Sequence, residues 1–298
     1  SIRNILHNLY KYLNTEIFVT NYYLLKSGKR ILNTVNKKTK SNEIMKNNES
    51  KSLLSILNFD HLDKITFTSW QYIYQRKFLA INKIFFKNLY VSEDWEFVIK
   101  VQFLATRYKF ISKPIYIWRF VNINSHGKKT GYKVTISLIK IMHSVSRLIF
   151  NAQNINSDEK SNFNIFLNRL CKRFWHHCII LNLSEVRKLI NFIYTYRTFL
   201  KIIVFLNVTA GRQLIGTKSN IFNNIKIKID RRDKLIKKLI KRINNKKIIV
   251  FCASAFSKNV LTLLSYHDLD ADLIIDNNKN YIDQKINNTL IKHSSFLK

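Results

Sequence analysis

From Val134 to Leu206 apolar residues recur three and four positions apart, in three runs, Val134–Phe150, Phe163–Leu183 and Val186–Leu206. That period predicts amphipathic helices. Lys234 to Ile243 repeats the pattern with a basic polar face. Ahead of this helical stretch, Glu16 to Leu24 is β-branched and aromatic and predicts a strand, closed by a turn at Lys26-Ser-Gly-Lys29. Ile2–Leu13 predicts a helix, and Asn33–Lys51 a polar loop without a period. Ser92 precedes Glu93-Asp94-Trp95-Glu96-Phe97, the signature of a helix start, with the Ser hydroxyl as cap and the acids on the positive end of the dipole. Phe97, Val101, Leu104 and Ala105 share one face, and the helix is expected to end near Tyr108. Phe110 to Phe120 predicts an extended segment kinked at Pro114, the one proline of the chain. Beyond Lys246, a buried strand Ile248–Phe251, a loop Cys252–Ser257, a helix Lys258–Ser265 and a strand Asp272–Ile275 form one β-α-β unit.

The pattern divides the chain into residues 1–131, a helical region 132–245 and a small tail 246–298. Its 298 residues are 46% hydrophobic, enough for a large core, which excludes a disordered basic tail. Three cysteines do not make a disulfide framework, and a reducing, cytoplasmic location follows as an expectation. The most apolar stretch, Leu189–Ala210, is interrupted by Arg197 and Lys201, so no bilayer span is expected. The net charge of +33 has three readings. It reflects an A+T-rich coding sequence loaded with Lys, Asn and Ile, or attraction to an anionic membrane surface, with the basic helix Lys234–Arg242 as contact, or nucleic-acid binding. No nucleic-acid-binding motif accompanies the charge.

Candidate chemistry concentrates between Ser69 and Arg119. Trp70-Gln-Tyr-Ile-Tyr-Gln-Arg-Lys-Phe-Leu79 is followed by Ile84-Phe-Phe86, then Glu93-Asp94, then Pro114-Ile-Tyr116-Ile-Trp-Arg119. This order resembles the back half of bacterial family 2 glycosyltransferases of the GT-A fold, over about the first 130 residues. Trp118 stands where that family usually has a second tyrosine. The resemblance implies an α/β protein: a partial GT-A domain, the helical middle and a Rossmann-like tail. It implies inverting transfer from a nucleotide sugar to a surface glycan or lipid-linked acceptor, with Asp94 as general base and Glu93 beside it. The alternative for both acids is to cap a helix, and a helix start would hold Asp94 ionised. Tyr116, Arg119 and Trp70 would line the substrate, the guanidinium suiting a phosphate. His126 follows in a loop, as a metal ligand or a solvated side chain.

The same resemblance implies Mg²⁺ or Mn²⁺ on the donor diphosphate, held by a DxD strand that should precede this segment, so the chain reads as N-terminally truncated. Asp268-Leu-Asp270 lies in the wrong region for it. Cys171, His176, His177 and Cys178 raise zinc, but their spacing on a helix better suits a buried face. In the tail, Cys252, Ser254 and Ser257 replace the glycines a dinucleotide-binding turn requires. Asp276 stands at the ribose position, and NAD is not expected. Two other classes stay open: a non-catalytic binding or assembly protein of polysaccharide synthesis, and a basic nucleic-acid binder.

Overall fold

A computed structural model describes residues 12, 14–26, 29–33, 52–57, 67–119, 130–196, 198–206, 208–243, 247–251, 260–261, 264–265, 269–278, 281–286 and 288–297. The expected helix at Ile2–Leu13, the loop 34–51, His126 and the Cys252–Ser257 loop lie outside the described residues.

The first sheet is organised around β1 (Ile17–Lys26). On one edge β1 pairs antiparallel with β2 (Lys29–Asn33), through Lys26↔Lys29, and with β3 (Tyr72–Tyr74), through Ile17↔Tyr74. On the other edge it pairs parallel with β4 (Tyr108–Arg119), from Ile17↔Tyr108 to Leu25↔Arg119. The register slips where Pro114 faces Asn21, because a proline has no N–H to give the ladder. Ile17, Phe18 and Val19 are all buried, so both faces of the strand start are covered. Glu16, just ahead of β1, accepts bonds from the N–H groups of Thr106 and Arg107 and from the Arg107 guanidinium, tying the entries of β1 and β4 together.

Three short helices connect these strands: α1 (Leu53–Ile56), α2 (Arg76–Ile81) and α3 (Glu93–Leu104). The third ends four residues before the expected Tyr108, because β4 already begins there. Ser92 does not cap it: the residue is left-handed (φ 61°, ψ 27°) and its hydroxyl makes no bond to the helix backbone.

The middle is helical as expected: α4 (Tyr132–Asn151), α5 (Ser157–Cys178), α6 (Leu183–Thr195), α7 (Thr198–Phe205) and α8 (Lys218–Ile243). The single periodic run Val186–Leu206 is two helices, because α6 ends at Tyr196. Asn156 with Glu159, and Asn182 with Glu185, form capping boxes that satisfy the first N–H groups of α5 and α6. One apolar core runs from Ile17 through Phe97, Val145, Phe166 and Val186 to Ile229. Asn162 stitches α5 to α1 by donating to the carbonyls of Leu54 and Leu57. Cys171 and Cys178 are buried in that core, with Cys171 against Met142.

The tail has its own cluster, with Leu261, Ile274 and Ile291 at its centre. Its strands β5 (Ile249–Phe251), β6 (Leu273–Ile275), β7 (Lys285–Ile286) and β8 (Thr289–Lys292) run in the order β5-β6-β8-β7. β5 and β6 are parallel, as a β-α-β unit requires. β5 is not the buried strand expected: among the described residues it is the sheet edge, and Phe251 is exposed.

Candidate active site

One carboxylate is tied to the first sheet through a single short turn. A 3₁₀ turn, Ser69–Gln71, leads into β3 and is pinned to β1 by the Thr20 hydroxyl, which donates to the Gln71 carbonyl at 2.9 Å. Its first residue, Ser69, donates from Oγ to Asp94 Oδ1 at 3.0 Å. The Tyr74 hydroxyl donates to the Ser69 carbonyl at 2.8 Å. The turn therefore locks Asp94, at the start of α3, from the side facing the sheet.

Trp70 follows Ser69 in the same turn. Its ring stacks on Tyr116 of β4 (4.4 Å between centroids, 21°) and takes the edge of Tyr22 of β1 (4.8 Å, 84°). Tyr116 is 41% exposed. The structure thus brings together Asp94, Trp70 and Tyr116 through two adjacent residues, Ser69 and Trp70. Glu93 adjoins Asp94 at the helix start. Arg119 is the last residue of β4, across from Leu25, and its side chain lies outside the described ones.

The electrostatics of Asp94 differ from the sequence expectation. A helix start was expected to hold it ionised, yet its pKa is raised above the usual carboxylate value. Burial is the main cause, the bonds from Ser69 pull the other way, and the Glu93 charge adds to the rise. Partial burial outweighs the bonds from Ser69. The consequence is chemical: a carboxylate of raised pKa is a stronger base than a solvated one. Tyr74 moves in the same direction, mainly through burial and then the charges of Tyr72 and Asp94, so its hydroxyl stays a proton donor to Ser69.

The wall behind the site is aromatic. Phe97, one turn into α3, stacks on Phe86 (4.1 Å, 6°) and takes the edge of Tyr74 (5.2 Å, 84°). At the entry of α3, Arg173 of α5 donates to Ser92 Oγ at 2.9 Å and lies over Trp95, 5.3 Å from its centroid. Neither Ser69 nor Arg173 carried a sequence signal: each meets its partner across 25 and 81 residues.

Among the described residues no group of three or more His, Cys, Asp or Glu side chains could hold a metal ion. Asp94 is engaged by Ser69, Glu93 is its sequence neighbour, and Asp270 is exposed ahead of β6. This donor set does not fit Mg²⁺ or Mn²⁺ on a diphosphate, which takes several converging oxygens. Asp276 Oδ1 accepts from the Asn278 N–H and so caps its own turn. Among the described residues no helix is long and apolar enough to cross a membrane.

No protein-family model matches the chain, and no curated protein matches it. Solved structures do. Residues 1–349 of S. aureus TarS in complex with UDP-GlcNAc superpose with a TM-score of 0.55 at 17% identity, covering 78% of this chain and 63% of that one. The same protein with UDP gives 0.54 at 16% identity, covering 78% and 62%. The chain shares its fold with TarS. It spans less than two thirds of the TarS chain's length. The fold class is accordingly mixed α/β, the fold of the TarS segment, with a helical middle and the small β-α-β tail.

Proposed function

We propose that the chain is a glycosyltransferase-like protein of the family 2 type, moving a sugar from a nucleotide donor to a surface glycan or lipid-linked acceptor with inversion. The observation that carries the reading is the half-buried Asp94, fixed by Ser69 beside the Trp70–Tyr116 stack, on a TarS-like fold. In the step, the acceptor hydroxyl oxygen attacks the anomeric carbon. The bond from that carbon to the diphosphate oxygen breaks, the nucleoside diphosphate leaves with its electron pair, and the hydroxyl proton passes to Asp94. Ser69 fixes the carboxylate rotamer, and raised basicity suits it to take that proton at the moment of attack. Tyr116, with its outer face exposed, offers an apolar face to the acceptor ring. The Arg119 guanidinium, three residues on, is assigned to a phosphate.

The test is nucleotide release from UDP-GlcNAc with a surface-glycan acceptor, alongside calorimetric titration of UDP-GlcNAc. Binding plus acceptor-dependent release supports the reading; no binding supports a non-catalytic assembly role instead. Tyr116→Ala is expected to raise the acceptor KM about tenfold with kcat nearly unchanged, since it removes binding common to ground and transition states.

The outward face of α8 extends the same reading to an anionic membrane surface. Lys226, Arg231, Lys234, Lys237, Lys238 and Lys241 are exposed there, with Ile227 and Leu235 exposed among them. Each such cation contributes about 1 kcal/mol near an anionic leaflet. Changing Lys234, Lys237, Lys238 and Lys241 to Glu should lower co-sedimentation with phosphatidylglycerol vesicles by about a hundredfold or more. Equal binding to phosphatidylcholine vesicles would remove the proposal. Ile227→Ser with Leu235→Ser should weaken vesicle binding while leaving any duplex-DNA binding unchanged, which separates lipid from nucleic acid.

A further inference from the structure

The entry of α3 is built in an unfavourable way. Ser92 is left-handed, with φ 61°, a conformation that costs a non-glycine residue about 1–3 kcal/mol. Its hydroxyl, which could have capped the helix, accepts from Arg173 instead. The guanidinium also stacks over Trp95, whose ring packs against Phe67 (5.6 Å) and Phe166 (6.2 Å). Arg173 therefore grips the residues on both sides of the Glu93-Asp94 pair, from a helix 81 positions away in sequence.

We infer that Arg173 is a positioning residue for the candidate base: by holding Ser92 left-handed and Trp95 in place, it keeps Asp94 against Ser69 and out of water. Its planar fork serves both contacts, one N–H to a hydroxyl and one face to a ring, which a lysine cannot reproduce. Stability alone does not explain the choice. A guanidinium taken largely out of water costs several kcal/mol, and an apolar side chain of similar volume usually stabilises such a place as well or better. That burial depresses the Arg173 pKa, and with burial the Arg173 charge depresses those of His176 and His177 on the same helix. Asp94 itself is faced by Glu93 from its own helix and by Ser69 and Tyr74 from the sheet side. The clamp acts on Asp94 through the backbone of α3, by holding the residues on either side of it. A displacement of about 1 Å in a catalytic group is enough to cost about a hundredfold in rate.

The inference rests on Asp94 acting as base, so the experiment reads Asp94 directly as well as through turnover. The Asp94 carboxyl is titrated in the full chain by infrared difference against D94N, and kcat and donor KM are measured with UDP-GlcNAc as a function of pH. In R173Q the Asp94 titration should move down toward the ordinary carboxylate range, and the acid limb of kcat should move with it. The value of kcat should fall about 10- to 100-fold with donor KM within about twofold. Arg173→Lys should lie between. Adding Ser92→Gly to R173Q should return part of both signals, because glycine adopts the left-handed turn without a clamp. Should R173Q fail to fold by circular dichroism, S92A replaces it, with the same expected direction. A chain in which R173Q or S92A leaves both the Asp94 titration and kcat at wild-type values overturns the clamp. Full activity of D94N overturns the base assignment instead, whatever the Arg173 variants do.

Discussion

Asparagine in place of Asp94 is expected to lower kcat by about 10²–10⁴-fold and, at neutral pH, to raise the melting temperature. Both effects come from one cause. The carboxyl sits half-buried beside Glu93, and its folded pKa lies above the ordinary, unfolded value. A raised acid favours the folded chain while protonated. That contribution is complete below the unfolded pKa and is lost as pH rises through the folded pKa. Asparagine never ionises, so the gap between D94N and wild type should be small in acid, open through the ordinary carboxylate range and level off above the raised value. Activity runs the other way, because the base works only when ionised: kcat should climb across that same raised pKa. Calorimetric melts and kcat, each measured across pH, check the two halves. A D94N chain that transfers sugar at the wild-type rate would remove the assignment of the base, and one that melts at or below wild type at neutral pH would remove the burial argument. A D94N chain that is slower but more stable would show activity at this position purchased with stability, as expected where function needs a group its surroundings disfavour.

How much of this was legible in the sequence depends on the range of the interaction. Period alone places α4, most of α5 and α8 from Lys234 onward, since each buries one stripe of its own residues; it does not place the break between α6 and α7 or the part of α8 ahead of Lys234. The order of Trp70, Asp94 and Tyr116 could be read as an ordered set of motifs, and the structure does bring the three together. What joins them could not be read. Ser69 is an ordinary residue before an aromatic, and only the fold of the 3₁₀ turn against β1 aims its hydroxyl at Asp94. Ser92 looked like a helix cap because serine before acids usually is one. Arg173, from a distant helix, takes the hydroxyl and the backbone turns left-handed. Glu96 looked like one more acid in a first turn. Its complete burial depends on cations and a hydroxyl that period and composition do not place.

Glu96 supplies the other large effect, and its sign is opposite to that of Asp94. Its side chain is fully buried, with Lys100 Nζ at 2.5 Å, Lys87 Nζ at 3.1 Å and a short bond from the Ser144 hydroxyl of α4. Lys87 also donates to Ser144 at 2.7 Å, so the three groups tie α3 to α4. Burial by itself would raise the Glu96 pKa. The bonds from Lys100 and Ser144 and the charges of Lys100 and Lys87 outweigh it, and the pKa falls below the usual glutamate value. A depressed acid contributes stability that is present above the unfolded pKa and lost as pH falls through the folded pKa. Removing the nearest cation while leaving the buried carboxylate should therefore be costly: Lys100→Met is expected to lower unfolding free energy by about 3 kcal/mol at neutral pH, at the lower end for a broken buried pair because Lys87 remains. Glu96→Leu together with Lys100→Met should cost clearly less than the sum of the single changes, because the double variant leaves no uncompensated charge. Urea melts of the four chains, at neutral pH and below the ordinary glutamate range, measure both claims. Simple additivity would show that the pair does not interact. Glu96→Gln should also erase the acid loss of stability that Glu96 causes, whereas D94N should erase a loss that appears on going the other way. Two carboxylates, two residues apart on one helix, differ because one is surrounded by cations and the other by a second carboxylate and partial burial. Opposite pH slopes in the two variants would follow from that difference alone.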